Sequence, residues 1–227
     1  MKFLMKYALI ATVALILAGC YNSYQYLDPE WTQKPAKMKI LFTKPMITDE
    51  EKIPYTMAPI EDGFGGKIDN VLQFNSNVPC VVEKVSKKEL SYETQKMGSL
   101  DVQLPKVESM SDSFDVYLIF DHITLNLSAV VSTLPGGAGI VAPAIGGSTL
   151  ATQAVGAFAG MTFNFKGEST EIDANYALYD VKTGKRLAYG HLEERMFHEE
   201  VAMEQGWYDN IRQMVLRIFG KTPITRF

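Results

Sequence analysis

Residues 114–127 read FDVYLIFDHITLNL, and this stretch decides the fold. Val116, Leu118 and Phe120 alternate on even numbers, which is the two-residue period of a half-buried strand. Ile123, Leu125 and Leu127 continue the alternation on odd numbers. The phase slips by one at Asp121-His122. One extra residue in a continuous strand keeps both apolar sets on the inner face, so the spacing predicts a β-bulge there. His122 then reads as a bulge or edge residue rather than a ligand.

Working outward, MTFNF (161–165) reads as a further strand. The segment STEIDANYALYDVKTGKRLAYGHLEERM (169–196) alternates on both sides of Asp180 to Lys185. Gly184 supplies a position open to positive φ, so a hairpin is expected. Trp207, Tyr208, Ile211, Met214, Val215, Ile218 and Phe219 fall at three- and four-residue steps, which predicts an amphipathic helix ended by Gly220 and Pro223. Upstream, KMKILFT (37–43) is a first strand. Residues 44–66, with Pro45, Pro54 and Pro59, read as a long irregular segment with room for one short helix. VPCVVEKV (78–85) is β-rich, and KKELSYETQKM (87–97) reads as a short surface helix. The expected fold is α+β, an α/β sandwich. Its mixed or antiparallel sheet carries the C-terminal helix and a glycine-rich insertion over 129–162, all within one domain of residues 37–227.

The chain begins MKFLMKYALIATVALILAGC. Lys2 and Lys6 precede an uncharged run from Tyr7 to Gly19, well short of the roughly 20 residues a spanning helix needs. A short apolar core behind basic residues, ending in small residues, is a secretory signal. Leu17-Ala18-Gly19-Cys20 resembles the lipobox of bacterial lipoprotein precursors. That resemblance implies diacylglyceryl transfer to the Cys20 thiol, cleavage between Gly19 and Cys20, and acylation of the new amine. Residues 1–19 would be lost. Each buried methylene contributes about 0.8 kcal/mol and one chain alone holds only marginally, so three chains would attach the protein almost permanently. In that family an Asp after the cysteine retains the protein at the inner membrane. Tyr21 stands here, which implies the outer membrane of a Gram-negative cell, facing the periplasm. Residues 20–36 read as a lipidated tether. Tyr21, Tyr24, Tyr26 and Trp31 either sit at headgroup level or pack on the protein's own domain.

The order of strand, long alternating strand, NYALYDVKTGKRLAYG hairpin and terminal amphipathic helix resembles periplasmic α/β domains of outer-membrane lipoproteins over residues 114–220. The curli-secretion channel lipoprotein and lipoprotein activators of penicillin-binding proteins are examples. The shared feature is a strand ending in Asp-x-x-Thr-Gly-Lys, here Asp180 to Lys185. The resemblance implies fold class alone, because a fold does not fix function.

Between His122 and Lys166 no Asp, Glu, Lys or Arg occurs. Within it, GGAGIVAPAIGGSTLATQAVGAFAG (136–160) is dominated by small residues, and Pro143 interrupts a continuous helix. Ala138, Ala142 and Gly146 are four apart, as are Gly156 and Gly160, a spacing that lets backbones approach closely. Three readings stand: a self-packing or homo-oligomeric contact, a membrane-inserted hairpin, or a surface loop.

The chain has 227 residues and a formal charge of −4, which becomes −6 once Lys2 and Lys6 leave. This balance argues against nucleic acid, which selects a basic face. With Cys20 lipidated, Cys80 has no partner for a disulfide and reads as a small buried hydrophobe. HLEERMFHEE (191–200) holds the best metal-ligand candidates, His191 and His198. On a helix they would share a face, and on a strand they would oppose. No Gly-x-Ser-x-Gly elbow, Walker loop or dinucleotide fingerprint occurs, and no cofactor is expected. The expectation is a non-enzymatic, lipid-anchored protein that binds, scaffolds or assembles an envelope protein partner. The alternatives are an oligomeric pore- or channel-forming lipoprotein and a metal-assisted hydrolase.

Overall fold

The computed structural model describes residues 23–53, 55–76, 78–134, 163–198 and 204–225. Its axis is a long strand, Val116–Leu134. The described strands and α-helices are β1 (Tyr24–Leu27), β2 (Met38–Phe42), β3 (Met46–Ile47), α1 (Ala58–Asn75), β4 (Cys80–Lys84), β5 (Leu90–Met97), β6 (Leu100–Val107), β7 (Val116–Leu134), β8 (Phe163–Asp180), β9 (Arg186–His198) and α2 (Glu204–Phe219), with short 3-10 turns at Glu50–Lys52 and Lys87–Glu89. The main sheet has the order β1-β9-β8-β7-β2-β4, with β3 also on β7. β1, β9, β8 and β7 are antiparallel neighbours, whereas β2, β3 and β4 are parallel additions. The fold is therefore α+β with a mixed sheet. Helices α1 and α2 pack on one face and the β5-β6 hairpin lies on the other.

The predicted bulge is present. The β7-β8 register runs to Asp121↔Asn175 and resumes at Thr124↔Asp173, and His122 takes φ +50°. The extra residue returns Ile123 and Leu125 to the face occupied by Val116, Leu118 and Phe120, and all five are buried against the helices. The opposite parity, Tyr117 and Ile119, joins Leu41, Ala177 and Tyr179 beneath Leu90, Val102 and Leu104 of the hairpin. One strand thus supplies both cores.

The C-terminal helix matches its expected stripe, with Trp207, Ile211, Met214, Val215, Ile218 and Phe219 buried. It begins three residues earlier than the periodicity suggested. The hairpin at Asp180 to Lys185 is also present: Gly184 has φ +67°, and its N–H donates to Asp180 O at 2.9 Å.

Three expectations are corrected. Residues 58–75 form an 18-residue helix, much longer than the one short helix allowed for residues 44–66. Pro59 sits in its first turn, where a missing N–H is harmless. Gly63, Gly65 and Gly66 weaken its pattern, yet Gly65 is required, because a Cβ there would lie 2.7 Å from the Phe42 ring. Residues 90–97 form strand β5 rather than a helix, since Leu90 and its pairing with β6 outweigh local helix propensity. Finally, the supposed tether is partly sheet. Tyr24–Leu27 pairs with β9, Tyr26 packs on Tyr189 with ring centroids 4.9 Å apart, and Trp31 packs on the main core. Of the tether aromatics, these two therefore pack on their own domain.

Candidate functional site

Beyond the bulge, β7 and β8 outrun the rest of the sheet. The last β9 pair is Glu168↔His198, and the last β3 pair is Ile47↔Leu125. From Val130↔Gly167 to Leu134↔Phe163 the ladder has two strands only, among the described residues. This arm leads to residues 135–162. Ala138, Ala142, Gly146, Gly156 and Gly160 all lie outside the described residues, as do Gly19 and Cys20.

The N-terminal segment leaves at the same end. β1 is antiparallel to β9, with Leu27↔Ala188 and Tyr24↔His191. Read backwards, the chain heads toward His198 and the base of the arm. Ser23 is fixed there: its Oγ donates to Glu193 O at 3.1 Å and accepts from Glu193 N–H at 2.9 Å. Arg217, in the last turn of α2, donates from Nη1 to Ser23 Oγ at 3.2 Å. Its Nε lies 2.7 Å from Glu194 Oε1.

Ionisable groups cluster around this end. Glu171, Asp173 and Glu193 share one face of β8 and β9, with Arg195 Nε 2.9 Å from Glu171 Oε1. Burial, reinforced by Glu193 and Glu171, pushes the Asp173 carboxyl up to about 6. Burial likewise pushes Glu194 up to about 7; Arg217 opposes the rise and Glu193 adds to it. At the bulge, Asp121 is fully buried. Burial alone would raise its carboxyl. The Thr43 hydroxyl at 2.6 Å, the His122 backbone N–H and the Tyr92 hydroxyl outweigh that effect and hold it below the ordinary value. Tyr92 belongs to β5, so this carboxylate ties the hairpin layer to the base of the arm. Sequence reading missed Asp121, although a lone acid inside an apolar strand run was its visible signal.

His191 and His198 are not brought together. They are seven residues apart on a strand without an intervening bulge, so they point to opposite faces. His191 Nδ1 is 2.9 Å from Asn175 Oδ1, and His198 Nε2 is 3.0 Å from Thr170 Oγ1 beneath α2. Burial lowers the basicity of both. No group of three or more His, Cys, Asp or Glu converges on a metal position among the described residues. Cys80 is half-buried, with Sγ 3.1 Å from Asp69 Oδ1. Burial first, and then Asp69, pushes its thiol up to about 12, far from nucleophilic.

At the opposite end of the sheet, residues 28–36 run across the strand ends and wall a polar cleft of about 510 Å³. Lys185 bridges Asp28 at 2.6 Å and Glu30 at 3.1 Å across its edge. Asp115 Oδ2 accepts from the backbone N–H groups of Ala36 and Lys37. The segment after β1 is thereby fastened at both ends. No described helix is long and apolar enough to cross a membrane.

No family model matches the chain, and no curated protein matches it. Among solved structures, a variant PelC dodecamer from Paraburkholderia phytofirmans aligns over 92% of this chain and 100% of its own, at 10% identity and a TM-score of 0.40. A second PelC dodecamer from that organism aligns over 91% and 98%, at 9% identity and a TM-score of 0.39. A putative neuraminyllactose-binding hemagglutinin homolog from Helicobacter pylori aligns over 86% and 88%, at 10% identity and a TM-score of 0.35. Likenesses at this level place neither a ligand nor a partner on this chain.

Proposed function

We propose that the protein is a lipid-anchored envelope protein, held by acyl chains on Cys20, that acts without catalysis by binding and assembling an envelope partner at the outer membrane. The observation that carries this reading is the common exit of the N-terminal segment and the β7-β8 arm from one end of the sheet. An anchor three residues before Ser23 brings that end to the bilayer and leaves the opposite end, with its polar cleft, open to the periplasm. The test is mass spectrometry of protein from its native host, joined to crosslinking in intact cells. Triacylated Cys20 and a recurrent envelope protein crosslink support the reading. An unmodified Cys20, or a chain starting elsewhere, overturns it.

A second reading, an oligomeric pore-forming lipoprotein, is favoured by the lengths involved. Three residues reach at most about 11 Å, so an anchor on Cys20 would hold Ser23 within that distance of its attachment point. The arm runs ten residues beyond the matching Asp173 to Phe163, roughly 33 Å at strand rise. An arm that overreaches its own anchor by about 20 Å either enters the hydrocarbon layer or bends away from it. Strand edges in hydrocarbon must be paired, which calls for neighbouring copies. Conductance in liposomes by the full chain, lost on deletion of residues 135–162, supports this reading.

A further inference from the structure

The polar cleft at the end of the sheet opposite the arm is held in shape by bonds within its own walls. One wall is the segment after β1. Its Asp28 N–H donates to Leu187 O at 2.8 Å, and its Asp28 carboxylate holds Lys185 and the Glu30 N–H. The other wall is the β8-β9 turn. There Asp180 Oδ1 accepts from the Thr183 N–H at 2.8 Å and from the Thr183 hydroxyl at 2.6 Å, and the Val181 N–H donates to Asp115 O at 2.9 Å. Trp31 lines the cleft, half-buried, with its Nε1–H donating to Gln33 O at 2.9 Å. That bond orients the indole before any ligand arrives. A space of about 510 Å³ between fixed walls has the size of a small-ligand site.

The lining groups divide into engaged and available ones. The carboxylates of Asp28, Glu30, Asp115 and Asp180 face the ammonium groups of Lys34, Lys182 and Lys185, so the lining is close to neutral. Lys185 neutralises Asp28 and Glu30, and Asp115 Oδ2 and Asp180 Oδ1 are taken by backbone and turn donors. The side chains of Thr32, Gln33, Lys34 and Lys182 have no hydrogen bond or ion pair among the described residues. Asp115 Oδ1 and Asp180 Oδ2 likewise keep free lone pairs there. Donors and acceptors thus both stand open around one indole. An anion would meet the carboxylates, a cation would meet the ammonium groups, and a hydrocarbon would leave the polar walls without partners. A sugar hydroxyl both donates and accepts, as these groups require, and the C–H face of a pyranose ring is an apolar match for indole.

We propose that this cleft is a saccharide-binding site that takes one or two uncharged pyranose rings. Trp31 lies against a ring face, and Gln33, Lys182 and Asp180 Oδ2 bond its hydroxyls. With one aromatic and few hydrogen bonds, the affinity is modest, a Kd of about 1 mM or somewhat tighter. The site goes beyond the protein-binding role proposed above and does not depend on the lipid anchor, because its walls are placed by the folded domain.

The test is titration of the full chain in detergent with cellobiose, maltose and N,N′-diacetylchitobiose, and with glucose, glucuronic acid and glucosamine to compare charge on one ring. Calorimetry and tryptophan emission follow binding. Trp207, the other tryptophan of the sequence, is fully buried, so a change in emission reports Trp31. The expected result is saturable binding of at least one neutral disaccharide with a shift in emission. Trp31→Ala should weaken it about tenfold, and Trp31→Phe should restore most of the loss. Gln33→Ala and Lys182→Ala alter exposed side chains that the fold does not use. Each should weaken binding about threefold, the weight of one hydrogen bond, at an unchanged melting temperature. Absence of saturable binding by every neutral probe overturns the site, as does binding that survives Trp31→Ala, Gln33→Ala and Lys182→Ala undiminished. Tighter binding of glucuronic acid or glucosamine than of glucose overturns the uncharged class. None of these outcomes bears on acylation of Cys20, and an unmodified Cys20 leaves the saccharide site standing.

Discussion

His122 Nδ1 lies 2.8 Å from Asp121 Oδ2, so the residue that carries the bulge also faces the carboxylate the bulge buries. The two do different work. His122 occupies the left-handed region, which non-glycine residues enter at a cost of roughly 1–2 kcal/mol. Asp121 gathers Thr43, Tyr92 and the His122 N–H. Asp121→Ala leaves the buried Thr43 hydroxyl without its acceptor and unties Tyr92 from the bulge, and should destabilise by about 2 kcal/mol in urea melts. His122→Gly should stay within about 1 kcal/mol of wild type, because relief of the backbone offsets the lost contact. His122→Val, β-branched at positive φ, should cost about 2 kcal/mol.

Two adjacent glycines of α1 should behave oppositely. A Cβ at Gly66 meets nothing within 4 Å, whereas one at Gly65 meets the buried Phe42 ring at 2.7 Å and 2.9 Å. Gly66→Ala should stabilise by about 1 kcal/mol through helix propensity and a less disordered unfolded chain. Gly65→Ala should destabilise by about 1–3 kcal/mol through overpacking. Midpoints in urea at unchanged slope would check both.

This pair also explains what the sequence made legible. The long strand, its bulge, the Asp180–Lys185 hairpin and α2 were readable because side-chain parity alone specifies them. Helix α1 was hidden: its buried set Ile60, Phe64, Ile68, Val71 and Leu72 is helical in spacing, but Gly65 is present for contact with Phe42, a residue sixteen positions before the helix begins. β5 was misread for a similar reason, since its exposed polar residues take their conformation from β6. The interface escaped because Ser23, Glu194 and Arg217 are brought together only by tertiary structure, and each alone resembles an ordinary surface residue.

Cys80 should be slow to react. Burial and the Asp69 carboxylate hold its thiol near 12, so at about pH 8 the thiolate is scarce. In a Cys20→Ser chain, which leaves Cys80 as the one thiol of the sequence, an aromatic disulfide reagent should label slowly until the protein unfolds in urea. Asp69→Asn removes the carboxylate's contribution and should speed labelling of the folded chain several-fold. Fast labelling of the native Cys20→Ser chain would contradict the burial assigned to this side chain.

Acid should stabilise the fold through Asp173. Its carboxyl keeps a proton up to about 6, whereas the unfolded chain loses it near 3.8. Across that window the folded state binds more protons, so stability falls as pH rises. The half-buried His191 and His198 act in the opposite sense, losing stability as pH drops below 6.5, so the wild-type curve alone is a difference. Comparison with Asp173→Asn isolates one group. The variant should equal wild type at about pH 4 and exceed it by about 1–2 kcal/mol at pH 7, allowing for partial exposure.

The arm offers the last test, because its register specifies how it can be shortened. Leu134 and Phe163 face each other as a ladder pair, so a two-residue Asn-Gly turn can join them directly. Replacing residues 135–162 in this way keeps every described pair of β7 and β8. It also leaves both cores untouched, since Leu125 and Ile172 lie many residues below the junction. Thermal stability should therefore remain within a few degrees, the shift expected from less than about 1 kcal/mol. What should change is behaviour at the membrane. If the arm enters the bilayer, the shortened chain should lose detergent-stable oligomers and liposome conductance together, with the modification state of Cys20 unchanged by mass spectrometry. If those properties survive the replacement, the domain itself assembles the complex and the pore reading falls.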